Sequence, residues 1–239
     1  MNLLLFEPAE AAAPLPRRDP RAVHLLDVLR RREGDTFDAG LVDGPRGKGT
    51  LVAVGAEALT LAFAWGPPPP PPDPITLLAG LPRPQTARDI LRDATTLGVA
   101  AIHFVATEKG DPGYAQSSLW HAGEWRRHVR LGAEQAFDTR LPEVTHGRAL
   151  ADVLAALPAG ATRLALDNYE SPAPLGGLAI SAGAPVVVAV GSERGWSAGE
   201  RERLRAGGFV FVHLGSRVLR TETACLAALT LVRAKLGLV

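Results

Sequence analysis

The most informative segment of this chain is Leu214-Gly215-Ser216-Arg217-Val218-Leu219-Arg220-Thr221-Glu222-Thr223-Ala224. It places arginines, a glutamate and threonines between an apolar predicted strand, 209–214, and an apolar predicted helix, 223–236. In open α/β sheets, ligands bind where a strand end leads into a helix, because the first N–H groups of the helix are free to donate. The pattern alone is equally compatible with an ordinary turn that has Thr221 or Thr223 as its N-cap.

A second junction of this kind lies about 25 residues earlier, a spacing typical of adjacent units of a parallel sheet. Residues 186–190, Val-Val-Val-Ala-Val, predict a fully buried strand. This strand leads directly into Gly191-Ser192-Glu193-Arg194-Gly195-Trp196-Ser197 and then into a charged predicted helix, 198–206. Two charged loops that contain glycine therefore follow two strands of the predicted sheet.

Both loops resemble those of the SPOUT class of RNA methyltransferases, and most closely those of its RsmE family, the 16S rRNA uridine N(3)-methyltransferases. Residues 191–197 are similar to the family's G-P-E-G-G-hydrophobic-S loop, and residues 214–224 to its L-G-x-R-I-L-R-x-E-T-A loop. Further similar segments follow in the family's order: 24–35 (H-x-x-x-V-L-R…G-D), 81–83 and 96–99 (the start of the catalytic domain), and 134–143 (E-Q…P-x-I/V).

The resemblance implies an α/β fold with two domains. A C-terminal SPOUT-type methyltransferase domain would carry a trefoil knot, and an N-terminal PUA-like β-barrel would recognise RNA. The residues themselves predict a boundary at the proline run 67–72 with Pro74, because consecutive prolines favour extended polyproline II. The predicted division is therefore 1–66 for the barrel, 67–74 for a proline-rich linker and 75–239 for the methyltransferase domain.

The predicted elements agree with this division. Before the linker, short strand-like runs and one helix predict a small β-barrel: strands at 3–6, 36–42, 49–54 and 58–65, and a helix at 21–31 with Asp19 as N-cap and Pro20 at its first position. After the linker, strands alternate with helices, which predicts a mostly parallel sheet: strands at 75–79, 101–106, 163–167, 185–190 and 209–214, and helices at 86–97, 117–137, 148–157, 198–206 and 223–236.

The resemblance implies that the two loops bind S-adenosylmethionine and that the active site lies at the interface of a homodimer. Cofactor contacts are expected mainly from backbone atoms, which suits glycines and small apolar residues. The candidates are Leu166, Val190, Gly191, Gly195, Leu214, Gly215, Val218, Leu219 and Thr223. The three glycines would equally serve as turn residues with positive φ.

The implied reaction places a methyl group on a uracil N(3) that carries a proton at neutral pH, so the site must favour the uracil anion. Arg220 is our candidate for stabilising that anion, because a guanidinium stays charged and donates hydrogen bonds. Glu222 or Glu193 is the candidate proton acceptor, although either would equally hold an arginine or a backbone N–H. Arg30, Arg194 and Arg217 are candidates for contacting the RNA, which the resemblance implies to be 16S rRNA in the small ribosomal subunit.

The chain departs from the family loop at two positions: Ser192 replaces a proline and Arg194 replaces a glycine. If Arg194 adopted positive φ, the backbone would be strained by about 1 kcal/mol or more. Its side chain would either clamp an RNA phosphate or repel the sulfonium. Two alternatives stay open: a catalytically weak RNA-binding or ribosome-assembly factor of the same fold, and a SPOUT methyltransferase with another RNA target.

Composition is compatible with an RNA-modifying enzyme of the cytoplasm. The chain has 239 residues, a net charge of +1 and a single cysteine, Cys225, which we expect to pack as a small buried apolar side chain. Basic residues cluster at 30–32 and at 126–127 with Arg130. Glu7 interrupts the apolar start and no long apolar run follows, so we expect neither export nor a membrane span. Histidine and cysteine spacing predicts no metal site.

Overall fold

The computed structural model describes residues 3–181 and 183–239, which form two compact units. The first unit runs to Pro71 and includes Ala133–Leu141, and the second comprises Pro72–Gly132 and Pro142–Val239. The sequence predicts that Ala133–Leu141 belongs to the methyltransferase domain, 75–239. The domain limits 1–66, 67–74 and 75–239 stay a prediction.

The first unit contains a five-stranded sheet. Its strands are β1 (Leu4–Phe6), β2 (Leu15–Pro16), β3 (Thr36–Leu41), β4 (Arg46–Val54) and β5 (Ala58–Trp65), in the order β1-β3-β4-β5-β2. β1 runs parallel to β3, and the other neighbours are antiparallel. The four predicted strands are confirmed. β2 was not predicted, because two residues, one of them a proline, are too short to show an alternating pattern.

A short helical segment packs its apolar side into the core of the first unit. Asp19 caps α1 (Pro20–Val23) by accepting a hydrogen bond from the Arg21 N–H at 2.8 Å, as predicted, and a π-helical turn continues to Val28. The predicted extension to residue 31 is wrong, because Arg30 adopts a left-handed φ of 52°. Leu25 is fully buried in the same core as Phe6 and Leu51.

The second unit contains a seven-stranded parallel sheet. Its strands are β6 (Asp73–Gly80), β7 (Val99–Ala106), β8 (Glu143–Ala149), β9 (Thr162–Leu166), β10 (Ala173–Pro174), β11 (Val186–Val190) and β12 (Val210–His213), in the order β10-β12-β9-β11-β6-β7-β8. The helices after β6 are α2 (Pro84–Thr96), α3 (Ser118–His121), α4 (Trp125–Ala136), α5 (Leu150–Ala156), α6 (Ala198–Ala206) and α7 (Thr221–Lys235). The last turn of α4, from Ala133, belongs to the first unit. The predicted α/β class and parallel sheet are confirmed.

Two predicted helices differ from the structure. The predicted helix 117–137 is split into α3 and α4, because Gly123 between them has a φ of +70°. The predicted helix 148–157 begins only at Leu150, since the residues before it form β8. β8 is one of the two edge strands of the sheet and, among the described strands, pairs only with β7, so its polar sequence shows no apolar alternation.

Cys225 lies fully buried in α7, as predicted, and burial raises the pKa of its thiol to about 12. No helix within the described part of the chain is long and apolar enough to cross a membrane. Among residues 3–181 and 183–239, no three His, Cys, Asp or Glu side chains are grouped to hold a metal ion.

An ion pair joins α2 to the residue before α4 and makes stability depend on pH. Arg88 Nε lies 3.1 Å from Glu124 Oε1, and this contact lowers the pKa of Glu124 to about 2. A lowered carboxyl pKa stabilises the fold above the unfolded-state pKa of 4.5, and the contribution is lost as the pH falls toward 2. We expect thermal unfolding to show Glu124→Gln less stable than wild type at pH 7, with the gap closing between pH 4.5 and 2. A gap that stays constant over this range would contradict the ion-pair interpretation.

Candidate active site

The carboxyl ends of β9, β11 and β12 surround a cavity of about 170 Å³. Seven of the nine predicted cofactor residues line it: Leu166, Val190, Gly191, Gly195, Leu214, Val218 and Leu219. Gly215 and Thr223 are not among the described residues that line it, whereas Thr221 and Ala224 are. The structure therefore brings the two predicted loops together at one end of the sheet, where open α/β sheets bind ligands.

The loop after β11 closes on itself through backbone contacts that require glycine. The Gly195 N–H donates to the Ser192 carbonyl at 2.8 Å, and Gly195 has a φ of +64°. A Cβ atom on Gly191 would lie 2.9 Å from the backbone of Gly195. Because real Cβ atoms do not approach backbone so closely, residue 191 must be glycine for this loop to form.

The same loop rests on the end of β6, a contact that the sequence analysis missed. A Cβ atom on Gly80 would lie 2.5 Å from the Ser192 backbone nitrogen and 2.8 Å from Thr107 Cγ2. Gly80 therefore lets the loops after β7 and β11 meet over β6. A glycine directly after the predicted strand 75–79 was the available sequence indication.

Arg194 occupies its position without backbone strain. Its φ lies outside the left-handed region, so the condition for strain is not met, and Gly195 takes the positive φ instead. The Arg194 side chain is exposed and the residue lines the cavity. Lys109 also contacts this loop, since its Nζ donates to the Trp196 carbonyl at 2.8 Å.

A buried carboxylate ties this loop to the loop after β7. Glu200, with 1% of its surface exposed, accepts hydrogen bonds from the backbone N–H groups of Ser197 at 2.7 Å and Glu108 at 2.8 Å. Ser197 Oγ in turn accepts from the Glu200 N–H at 3.1 Å, which completes a capping box at the start of α6. The S-x-x-E pattern shows this capping box in the sequence, whereas only the fold reveals the bond to Glu108.

A buried ion pair shapes the loop after β9. Asp167 lines the cavity, and its Oδ1 accepts from the N–H groups of Tyr169 at 2.7 Å and Glu170 at 2.8 Å. Its Oδ2 lies 2.7 Å from Nε of Arg201 in α6, and the two side chains are only 2% and 10% exposed. From the sequence, Asp167 is predicted only as the end of the strand 163–167.

Removing this carboxylate should destabilise the protein. Deleting one partner of a buried pair costs about 3–5 kcal/mol, and among the described residues Arg201 would keep only the exposed Glu170, at 3.4 Å, as an ion-pair partner. We therefore expect Asp167→Ala to lower the free energy of unfolding by about 3 kcal/mol, the lower end of that range. Asp167→Asn keeps an acceptor for the two backbone N–H groups and should cost less. Urea denaturation measures both values, and equal stability of Asp167→Ala and wild type would contradict the assignment.

The N-terminus of α7 lies at the cavity without a side-chain cap. The helix begins at Thr221 with Arg220 in the N-cap position, and no side chain among the described residues accepts a bond from its first turn. The alternative in which Thr221 or Thr223 caps the helix is therefore wrong. Thr221 is buried and lines the cavity, so the partial positive charge of the helix end is available to an anionic group there.

Some of the candidate catalytic and RNA-contacting residues line the cavity, and others lie outside it. Glu193 lines the cavity, and its Oε1 accepts from the Arg83 N–H at 2.9 Å, with Arg83 Nε at 3.4 Å. Arg217 also lines it, whereas exposed Arg220 and half-buried Glu222 belong to the adjoining start of α7. Glu193 thus has, in this structure, the alternative role of holding an arginine. The remaining candidate, Arg30, is exposed and belongs to the first unit.

The parallel sheet and its glycine-bearing loops match the RNA methyltransferase domain family over residues 69–233. The chain is 35% identical to a ribosomal RNA small subunit methyltransferase E from Treponema pallidum, covering 98% of this chain and 91% of the relative. It is 27% identical, with a TM-score of 0.78, to a crystal structure of a ribosomal RNA small subunit methyltransferase E from Neisseria gonorrhoeae bound to S-adenosyl methionine, covering 98% and 97% of the two chains.

A crystal structure of a probable rRNA-methyltransferase from Porphyromonas gingivalis has the same fold. Its TM-score to this chain is 0.82 at 21% identity, covering 98% of this chain and 99% of the other. The family match and the Treponema relative both extend over the two loops that line the cavity. The chain therefore belongs to the RNA methyltransferase domain family and, within it, to the ribosomal RNA small subunit methyltransferase E family.

Proposed function

We propose that this protein transfers a methyl group from S-adenosylmethionine to N(3) of a uridine in the 16S rRNA of the small ribosomal subunit. Its membership of the small subunit methyltransferase E family supports the rRNA substrate and the cofactor. The single observation that carries the proposal is the cavity at the ends of β9, β11 and β12, which joins both glycine-bearing loops to the N-terminus of α7.

The residues of the cavity fit S-adenosylmethionine. Leu166, Val190 and Leu219 provide an apolar wall for an adenosyl group, and the tight backbone turn at Gly191 allows close approach of a ligand. The uncapped end of α7 at Thr221 suits the carboxylate of the amino acid portion. When bound, S-adenosylmethionine supplies an electrophilic methyl group on a sulfonium.

The chain's own polar residues would then prepare the uracil. We assign Arg220 to the uracil carbonyl, where a guanidinium stabilises the anion that forms as N(3) loses its proton. We assign proton acceptance to Glu222, since Glu193 already accepts from Arg83. Arg194 and Arg217 at the cavity, together with Arg30 of the first unit, are the proposed contacts to RNA.

Calorimetric titration with S-adenosylmethionine tests the cofactor site, with Arg194→Gly in parallel. We expect binding in the micromolar range for both proteins, because Arg194 imposes no backbone strain. Mass spectrometry of 16S rRNA from unmodified small subunits, incubated with enzyme and cofactor, then identifies the methylated uridine. Absence of binding that Arg194→Gly restores would favour the catalytically weak RNA-binding alternative, and methylation of another RNA would favour the second alternative.

Further features of the family complete the proposal. The course of α7 supports a trefoil knot. The strand before α7, β12, lies on the side of β9 that faces away from β11, but α7 packs against β11 and α2. A PUA-like role for the first unit is supported by its small five-stranded sheet. We place the enzyme in the cytoplasm, where small subunits are assembled.

We also propose a homodimer with the active site at its interface. Two large side chains at the rim of the cavity are left uncovered, since Val218 is 81% and Tyr169 83% exposed. A second copy that covered them would remove this apolar surface from water. Light scattering on the purified protein should give twice the mass of 25.2 kDa, and a monomer at micromolar concentration would contradict the dimer.

A further inference from the structure

A patch of aromatic and basic side chains lies away from the cavity, around the edge strand β8. We define the β8 patch as Trp125, Arg126 and Arg127 at the start of α4 together with His146 of β8. Arg126 and Arg127 are exposed, and the two rings are half-buried. Arg126 and Arg127 belong to the basic cluster singled out in the sequence, which the proposed cofactor site does not use.

The rings of the patch are held by a buried aromatic neighbour. The His146 ring lies 4.7 Å from that of Trp120, which is 3% exposed and packs 5.0 Å from Phe104. Trp125 meets His146 edge-on at 6.5 Å, and the Arg126 guanidinium lies 4.5 Å from the centre of the Trp125 ring. Burial, and then the charge of Arg126, lower the pKa of His146, so its ring is neutral at neutral pH.

In the described part of the chain, the Glu124 carboxylate pairs with residues outside the patch and not with Arg126 or Arg127. Glu124 is the acidic residue next to Trp125 in the sequence, and its carboxylate is engaged by Arg88 at 3.1 Å and by His128 at 3.5 Å. Half-exposed rings beside exposed guanidinium groups are the combination that binds single-stranded nucleic acid: bases stack on the rings, and phosphates pair with the arginines.

The position of the patch fits an RNA whose target base is in the cavity. All strands of the sheet are parallel, so the segment after β7, which leads into α4, starts at the same edge as the cavity loops. In the order β11-β6-β7-β8, β8 is three strands from β11. At about 4.8 Å per strand, about 15 Å along the edge separates β8 from β11, the nearest strand of the cavity, and about 19 Å separates it from β9, distances that a few nucleotides of unpaired RNA span.

We propose that the β8 patch stacks an unpaired nucleotide of the RNA substrate, a few positions from the methylated uridine. This inference rests on the proposed function, because it assumes an RNA substrate with its target base at the cavity. Recognition of splayed-out bases by aromatic side chains is the usual way in which proteins bind single-stranded RNA. The patch would thus add affinity for the RNA without touching the cofactor.

The test compares Trp125→Ala with Trp125→Phe, and Arg127→Ala with Arg92→Ala. Trp125→Phe keeps an aromatic face. Arg92 is the control, an arginine of α2 outside the β8 patch that pairs with Asp89 and Asp93. The probes are decauridine for binding and unmodified small ribosomal subunits for turnover, and calorimetry checks the cofactor affinity of each variant.

We expect Trp125→Ala to weaken decauridine binding and raise KM for small subunits about tenfold or more, with kcat and cofactor affinity unchanged. Trp125→Phe should retain most of the affinity. Arg127→Ala should reduce the slope of log K against log [salt] for decauridine binding by about one. Arg92→Ala should bind decauridine as the wild type does. If Trp125→Ala does not fold, Arg127→Ala still tests the proposal, because it changes only an exposed side chain.

Wild-type affinity and salt dependence in both Trp125→Ala and Arg127→Ala would overturn the inference. If the wild-type protein methylates small subunits while these variants match it in every readout, only the β8 patch is refuted. If the wild type binds no cofactor and methylates no rRNA, the proposed function itself fails. Unchanged decauridine binding by the variants would still count separately against the patch.

Discussion

Replacing Arg220 by alanine should lower kcat for rRNA methylation about 100- to 1000-fold, the usual cost of removing one preorganised donor from a developing anion. The affinity for S-adenosylmethionine should stay within about twofold, a change worth less than 0.5 kcal/mol, because Arg220 is exposed and is not among the described residues that line the cavity. Single-turnover kinetics on unmodified small subunits measures the rate, and calorimetry measures the affinity. Arg220→Lys should recover part of the rate, since it keeps the charge but loses the planar fork of donors.

The matched variant for this experiment is Glu222→Gln, which removes the proposed proton acceptor with little change in shape. Its rate should also fall, and the loss should diminish as the pH rises and N(3) loses its proton to solvent more readily. If Arg220→Ala retained wild-type turnover while Glu222→Gln abolished it, the role given to the arginine would be wrong.

Replacing Gly191 by alanine should weaken S-adenosylmethionine binding about 10- to 100-fold, which corresponds to about 1–3 kcal/mol of overpacking. The added Cβ would lie 2.9 Å from the Gly195 backbone, and neither backbone segment can move without opening the turn that lines the cavity. Calorimetric titration measures the affinity, and thermal unfolding checks that the rest of the fold survives.

Gly176→Ala is the control for this prediction, because a Cβ atom there meets nothing within 4 Å and its φ is not positive. It should bind the cofactor as wild type does. An alanine at position 191 that left the affinity unchanged would mean that the loop after β11 does not approach the cofactor closely, and the assignment of the cavity would have to be revised.

Much of the site could be predicted because its parts are local in sequence. The strand 186–190 is continuously apolar, and the loops 191–197 and 214–224 each hold their functional residues within a few positions. Asp19 and Pro20 likewise mark a helix start through contacts that span only two residues. Such patterns are determined by local hydrogen bonding and by periodic burial, which any single segment reveals.

Other features could not be predicted, since they depend on which segments meet. β8 is polar because it is an edge strand, and nothing in its own sequence shows that it pairs with β7. Gly80 matters only because the loop after β11 crosses the end of β6 at a distance that excludes a side chain. Gly123 separates α3 from α4 because it adopts a positive φ. The spacing of apolar residues in the sequence does not reveal this conformation.

The family, the parallel α/β sheet and the two loops at its end can be predicted from the sequence, because burial periodicity and loop composition are properties of short segments. The contacts that hold those loops in place depend on the three-dimensional fold: Asp167 pairs with Arg201, 34 residues apart, and Glu200 with Glu108, 92 residues apart. A buried charge or backbone N–H needs a partner in space, and the chain order does not say which residue will supply it.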